Sequence, residues 1–215
     1  MLSNEDYLNI FHEIKNSITL ISGSLQLVEK RHPEVSQFDY WKEAMSEITF
    51  LRNMVVQLSS AGLCSHLNLA RVDVYDFMHQ IYDSISTLPL KNWMCRLVMA
   101  DALPQMEIDP GLLKQAIINI VKNAYEAMDN TGSIRIDVSL SEGLMRIAVT
   151  DHGGGLDPAF ADNIFQSFTT SKTGGSGLGL VITKQIIDAH HGTLICDSRP
   201  GDGCTFTISL PLTQS

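Results

Sequence analysis

The chain has 215 residues, 44% of them hydrophobic, enough for one large domain or two small ones with a real core. A net charge of −9 argues against non-specific nucleic-acid binding, although a local basic patch remains compatible with it. Cys64, Cys95, Cys196 and Cys204 form no CxxC pair and read as buried thiols of a reducing cytosol, not as a disulfide frame or a zinc site. No apolar run approaches the roughly 18 residues of a membrane-spanning helix. The acidic start, Met1-Leu-Ser-Asn-Glu-Asp, carries no signal-peptide pattern, so the expectation is a soluble, cytoplasmic chain.

From Tyr7 the apolar residues Tyr7, Phe11, Ile14, Ile18, Ile21, Leu25 and Val28 alternate spacings of four and three, the seam of a heptad helix. His32-Pro33-Glu34 breaks it. A second seam runs Trp41, Ala44, Ile48, Leu51, Val55, Leu58, with Gly62 placed as a helix stop. Two such helices make an antiparallel hairpin. One hairpin buries little, so two are expected to pair as a four-helix bundle in a homodimer. The alternative is an intramolecular hairpin packed on its own C-terminal domain. Residues 1–66 are assigned to the hairpin and 67–215 to a second domain. No room for a sensor domain precedes the hairpin, so the input is expected from a separate protein or from a longer parent chain.

Beyond residue 68, Arg71–Val74 reads as a short strand, Tyr75–Leu88 as a helix and Arg96–Met99 as a strand. Asp109 and Pro110 supply an N-cap and first position for a helix reaching Met128. Strands are expected at Ile134–Leu140 and Leu144–Thr150, separated by Ser141-Glu-Gly. A glycine-rich stretch over 153–179 follows, interrupted by a helical piece at Ala159–Phe165. A helix at Leu180–His190 and a hairpin of Thr193–Cys196 with Thr205–Leu210 complete the chain. The expected class is α+β: a helical hairpin, then an α/β sandwich with a mixed sheet covered on one face by helices.

Three constellations carry chemistry. Gly175-Ser-Gly-Leu-Gly-Leu does not follow a strand, as a dinucleotide fingerprint would, and is not a P-loop. It reads as a glycine lid whose amides can face phosphates at a helix N-terminus, or as an ordinary mobile loop. Asp151-His-Gly-Gly-Gly ends an apolar strand: a carboxylate that can accept from an exocyclic amine, with glycines that let a flat base approach, or a tight turn with a capping Asp. Asn119 and Asn123 share one face of an otherwise apolar helix, where amides cost stability unless something uses them. Their carbonyl oxygens suit magnesium carrying a triphosphate.

The order of these motifs, an Asn-bearing helix, DxGxG, a Phe-rich segment with Thr-Thr and GxGLGL, resembles the ATP-binding fold of histidine kinases, gyrase, Hsp90 and MutL, from about residue 70 to 212. Phe11-His12-Glu13-Ile-Lys15-Asn16 is similar to the phosphoacceptor box of sensor histidine kinases, and Asn123–Met128 reads as the NAxEAM of the nitrogen-regulation and sporulation-kinase type. The resemblance implies autophosphorylation from ATP at His12 and transfer to a response-regulator receiver domain. Glu13 would orient or deprotonate the imidazole, and Asn16 would position water for dephosphorylation. Asn123 would ligate Mg2+, with Asn119 beside it. Asp151 would read adenine in a pocket shaped by Gly153 and Gly155. Gly175, Gly177 and Gly179 would form the lid, and Lys172 would contact a phosphate.

Three departures stand out. Ser17 replaces the usual proline, which should remove a kink. Thr169-Thr170-Ser171-Lys172 is one residue longer than the usual Thr-Thr-Lys. Glu126 stands where many histidine kinases carry a basic residue. His190-His191 reads as a helix C-terminus with favourable dipole placement, not as a metal site. Two rival functions remain at this stage: a phosphotransfer protein that does not use ATP, and a gyrase-like ATPase. Against the second, Asn119 occupies the place where such enzymes usually carry a water-activating Glu.

Overall fold

A computed structural model describes residues 4–63, 67–88, 92–129, 131–157, 164–165 and 179–212. Helix α1 (Asn4–Arg31) and helix α2 (Trp41–Leu63) lie against each other, joined by a 3-10 turn at Pro33–Gln37. Pro33 starts that turn after His32 has closed α1 through its amide on the Val28 carbonyl at 2.7 Å, and Val35 is buried beneath it. Helix α1 runs unbroken through Ser17, whose hydroxyl donates to the Glu13 carbonyl one turn back at 2.9 Å. Helix α2 continues through Gly62 to Leu63, so Gly62 is not the stop that its type suggested. Packing between α1 and α2 leaves part of the heptad seam in water: Ile14 and Val28 are each 40% exposed, Ile21 50% and Leu51 43%.

Five strands form the main sheet: β2 (Trp93–Met99), β4 (Gly132–Ser141), β5 (Leu144–Thr150), β7 (Gly203–Pro211) and β6 (Thr193–Arg199), in that spatial order. Strand β2 is parallel to β4 and the other pairs are antiparallel. The sheet is therefore mixed, as expected. Strand β2 starts three residues before the expected Arg96, because Trp93–Cys95 pair with Gly132–Ile134. The β4–β5 turn places Glu142 (φ 54°) and Gly143 (φ 76°) left-handed, the primed geometry that matches strand twist.

A second, two-stranded sheet pairs β1 (Ala70–Asp73) with β3 (Gln105–Ile108). Strand β3 escaped the sequence reading: four residues with two apolar positions give too short an alternation to register.

Alternate residues of β4, β5 and β7, such as Ile136, Ile147 and Ile208, are fully buried, while their neighbours face outward. The buried face packs under α3 (Val74–Ser86), α4 (Pro110–Ala127) and α5 (Gly179–Ala189). Asp73 caps α3 and Asp109 caps α4, each carboxylate accepting two backbone N–H bonds in the first turn. The expected helical piece at Ala159–Phe165 lies outside the described residues except for Ile164 and Phe165.

Ile147 sits at the centre of the sheet with no exposed surface. Ile147→Ala should lower unfolding free energy by about 2–5 kcal/mol through lost burial and a residual cavity. Urea denaturation monitored by circular dichroism measures it.

Candidate functional site

Helix α4 places Asn119 and Asn123 one turn apart, with Ile120, Val121 and Ala124 holding the helix in the core. Both asparagines are partly buried. The Asn119 Nδ2 is buried and has no hydrogen-bond partner among the described residues. An orphaned amide of that kind costs roughly 1–3 kcal/mol unless a ligand or water satisfies it. As placed it can donate to a phosphate oxygen; turned over, it presents a carbonyl oxygen to a cation.

Four residues beyond Asn123 the helix ends at Ala127, and there the Asp151 loop meets it. Asp151, at the end of β5, is 1% exposed. Its Oδ1 accepts from Gly153 N at 2.9 Å and from Cys204 N at 3.3 Å, and its own amide donates to the Cys204 carbonyl at 2.9 Å. A Cβ on Gly153 would stand 2.5 Å from the Ala127 carbonyl oxygen. A Cβ on Gly155, whose φ is +70°, would stand 2.2 Å from the Arg199 carbonyl oxygen. A Cβ on Gly203 (φ +88°) would stand 2.2 Å from the Asp151 carbonyl oxygen. The backbones that come closest at these glycines are the protein's own: the end of α4, the β6–β7 turn and the β5 terminus.

The loop is tied further by Ser198, whose Oγ accepts from Leu156 N at 2.8 Å and donates to Gly203 O at 3.1 Å. The Cys204 thiol donates to the Ser198 Oγ at 3.1 Å. The hydrogen bond between Cys196 and Cys204 pushes the Cys196 thiol up, with burial adding to it, and holds the Cys204 thiol down. Gly203 and Cys204 are neighbours of Asp151 whose contact with it the sequence did not announce. The available signal was a glycine at the start of a strand, which often marks a close backbone approach.

Gly179 opens α5, where its carbonyl accepts from the Thr183 hydroxyl at 2.9 Å. Lys172, Gly175 and Gly177 lie outside the described residues. On α1, Glu13 and Asn16 are exposed, and His12 lies on the helical backbone with its side chain outside the described part. His190 and His191 follow the C-terminal end of α5, as expected, with His190 fully buried and His191 exposed. Among the described residues no group of His, Cys, Asp and Glu could hold a metal, and no helix is long and apolar enough to cross a membrane.

Residues 108–214 match the family described as histidine kinase-, DNA gyrase B-, and HSP90-like ATPase. The chain is 30% identical over 205 residues to the signal transduction histidine-protein kinase AtoS of Escherichia coli K12, covering 94% of this chain and 34% of AtoS. It is 30% identical over 216 residues to the sensory histidine kinase/phosphatase NtrB of Escherichia coli O157:H7, covering 94% of this chain and 60% of NtrB. Full-length ShkA, solved in complex with AMPPNP, superposes over 100% of this chain and 47% of its own at a TM-score of 0.73 and 24% identity, a likeness of fold. The chain thus spans between about a third and three-fifths of the length of these two curated relatives.

The three glycines of the Asp151 loop are not equivalent. A Cβ on Gly154 would meet nothing within 4 Å, unlike one on Gly153 or Gly155. Gly154→Ala should change stability by less than about 0.5 kcal/mol. Gly153→Ala and Gly155→Ala should each cost about 1–3 kcal/mol by overpacking, with strain added at Gly155. Thermal melts of the three variants compare them directly.

Proposed function

We propose, from the ATPase family match over residues 108–214 and the likeness to curated histidine kinases, that the chain is a histidine-kinase transmitter module that phosphorylates its own His12 from ATP. The observation that carries the reading is the orphaned Asn119 amide on the helix whose end is seated against the Asp151 loop. A buried donor without a partner fits a phosphate oxygen, and Asn123, one turn on, fits a magnesium ligand. Asp151, already anchored through Oδ1, is the carboxylate for the adenine amine, beside Gly153 and Gly155. Gly175, Gly177 and Gly179 form the lid at the N-terminus of α5, and Lys172 contacts a phosphate. Magnesium, when bound, supplies charge neutralisation of the triphosphate.

The chain's own residues then do the following. The neutral His12 imidazole attacks the γ-phosphorus. The N–P bond forms as the bond to the ADP oxygen breaks, and Glu13 takes or steers the imidazole proton. The phosphoryl group passes from His12 to an aspartate of a response-regulator receiver domain.

Residues 1–66 serve as the dimerisation and phosphotransfer hairpin and 67–215 as the ATP-binding domain. The support for a homodimer is the α1–α2 seam, left 40–50% exposed at Ile14, Ile21, Val28 and Leu51 by packing within one chain.

Incubation with labelled ATP and magnesium should yield a label stable to alkali and lost in mild acid. His12→Gln should abolish it. Asn123→Ala and Asp151→Asn should each lower the rate at least about 100-fold with the fold retained. Acid-labile labelling of the His12→Gln protein would refute the acceptor, and full activity of either pocket variant would refute the pocket.

Glu13 and Asn16 are exposed on α1 and separate two activities. An amide can hold water in line with an aspartyl phosphate without ionising, whereas a carboxylate can take a proton. Asn16→Ala should keep most autokinase activity and lose phosphatase activity toward the cognate regulator, and Glu13→Ala should do the reverse. Parallel time courses with phosphorylated regulator, found by a partner screen, check the division. Equal losses of both activities in both variants would refute it.

A further inference from the structure

Four stretches of backbone meet at one buried point that phosphoryl transfer does not use. His190, the residue after α5, has no exposed surface. Its Nε2 lies 2.9 Å from the Asp109 backbone nitrogen. A backbone N–H can only donate, so Nε2 is the acceptor and the ring proton sits on Nδ1. Nδ1 donates in turn to the Ile186 carbonyl at 2.8 Å. Asp109 is also the cap of α4: its Oδ1 accepts from Gly111 N and Leu112 N, each at 3.0 Å, and its Oδ2 accepts from Asn68 N at 2.9 Å. The last bond reaches the connection between α2 and the small sheet. The end of α5, the end of β3, the first turn of α4 and that connection are therefore fastened together through two side chains.

We infer that His190 is a positioning residue of the nucleotide site, fixing α5 to the first turn of α4 through the Asp109 N–H. The inference rests on the nucleotide-site reading above. Helix α5 has 11 residues and so is about 16 Å long, and a tilt of about 10° about its C-terminal end would carry Gly179 by roughly 3 Å. Gly179 joins α5 to the glycine segment, while Asn119 and Asn123 ride on α4. A displacement of about 1 Å already costs rate where phosphates must be aligned. The pair α4 and α5 pack along their lengths, but apolar contacts let helices slide; a buried hydrogen bond between their ends sets one register. The Asn68 bond adds a second consequence, because the connection from α2 is held at the same point.

Simple space filling is the alternative, and it separates by chemistry. In His190→Leu the volume stays apolar but the Asp109 N–H is left buried without an acceptor. In His190→Asn the side chain is too short to reach it. In His190→Gln the carbonyl oxygen can take the place of Nε2. Each full-length variant should be compared with the native chain by amide exchange at Asp109, Asn68 and Ile186–His190, and by KM and kcat for ATP in autophosphorylation. The inference expects exchange at Asp109 to speed up about tenfold in the Leu and Asn variants. KM for ATP should rise severalfold, with kcat changed less than about twofold, and the Gln variant should restore both. Native exchange and KM in the Asn variant, or a Gln variant as impaired as Asn, would overturn it. If Leu fails to fold, the Asn and Gln pair decides. If the native chain binds no ATP, the functional reading fails, while the exchange comparison still decides whether His190 fastens the helices.

Discussion

Placement of the site depends on one buried carboxylate. Asp151 ends the central strand β5 with 1% of its surface exposed, and an unpaired charge there would be costly. It is held by two backbone N–H groups, from Gly153 and Cys204, one from its own loop and one from the last strand. That double anchorage requires three backbones to come closer than side chains permit. Gly153, Gly155 and Gly203 make the approach, each at a position where a Cβ would fall 2.2–2.5 Å from a carbonyl oxygen. The end of α4, and with it the Asn119–Asn123 face, is seated by the same contacts. Closely approaching backbone therefore fixes the surroundings of Asp151, the adenine end of the proposed pocket.

The hairpin obeys a different constraint. Its helices are long, 28 and 23 residues, but each can offer only one apolar stripe. Pairing α1 with α2 satisfies part of both stripes, and on α2 Val55 is buried, with 7% of its surface exposed. Seam residues that remain in water carry a free-energy cost that a second copy would remove, at roughly 25 cal/mol per Å2 covered. The sheet-bearing part closes its core within one chain, with Ile81, Ile117, Ile136 and Ile208 each fully buried. Stability in the two parts should accordingly depend differently on protein concentration.

Most of this was legible where a long pattern or a capping residue announced it. Asp109-Pro110 marked the start of α4 to the residue, and Leu144–Thr150 emerged as β5 with its expected bounds, because both signals are local. The heptad seam announced two helices, and His32-Pro33 announced the break. What stayed hidden depends on distant partners. Strand β3 exists because Ala70–Asp73 pairs with it, 35 or so residues away in sequence. Gly62 remains helical because a glycine C-cap is a preference that neighbouring turns can override. The motif glycines were recognisable, but their tightest contacts are with Ala127, Arg199 and Asp151 backbone, which no local reading contains. His190 reads as a helix C-terminus in the sequence, and only the fold reveals the Asp109 N–H that its ring accepts.

Electrostatics then sets what the proposed reaction must rely on. A chain with net charge −9 does not attract a triphosphate by its overall field. Glu126 is exposed on the last turn of α4, three residues beyond Asn123, and adds a negative charge there, while Lys122, beside Asn123 in sequence, is also exposed. In the proposed site, attraction would have to come from short-range groups: the metal, the first amides of α5, the Asn119 amide, and Lys172. Such contacts act over a few ångströms, within the Debye length of about 8 Å at physiological salt, so they are screened less than a diffuse surface field would be. They also depend on geometry in a way that a diffuse field does not. A helix displaced by one or two ångströms keeps its charge but loses its hydrogen bonds. In the proposed nucleotide site of an acidic chain, fastening α5 to α4 would therefore matter more than in a basic one, because alignment would have to supply what net charge withholds.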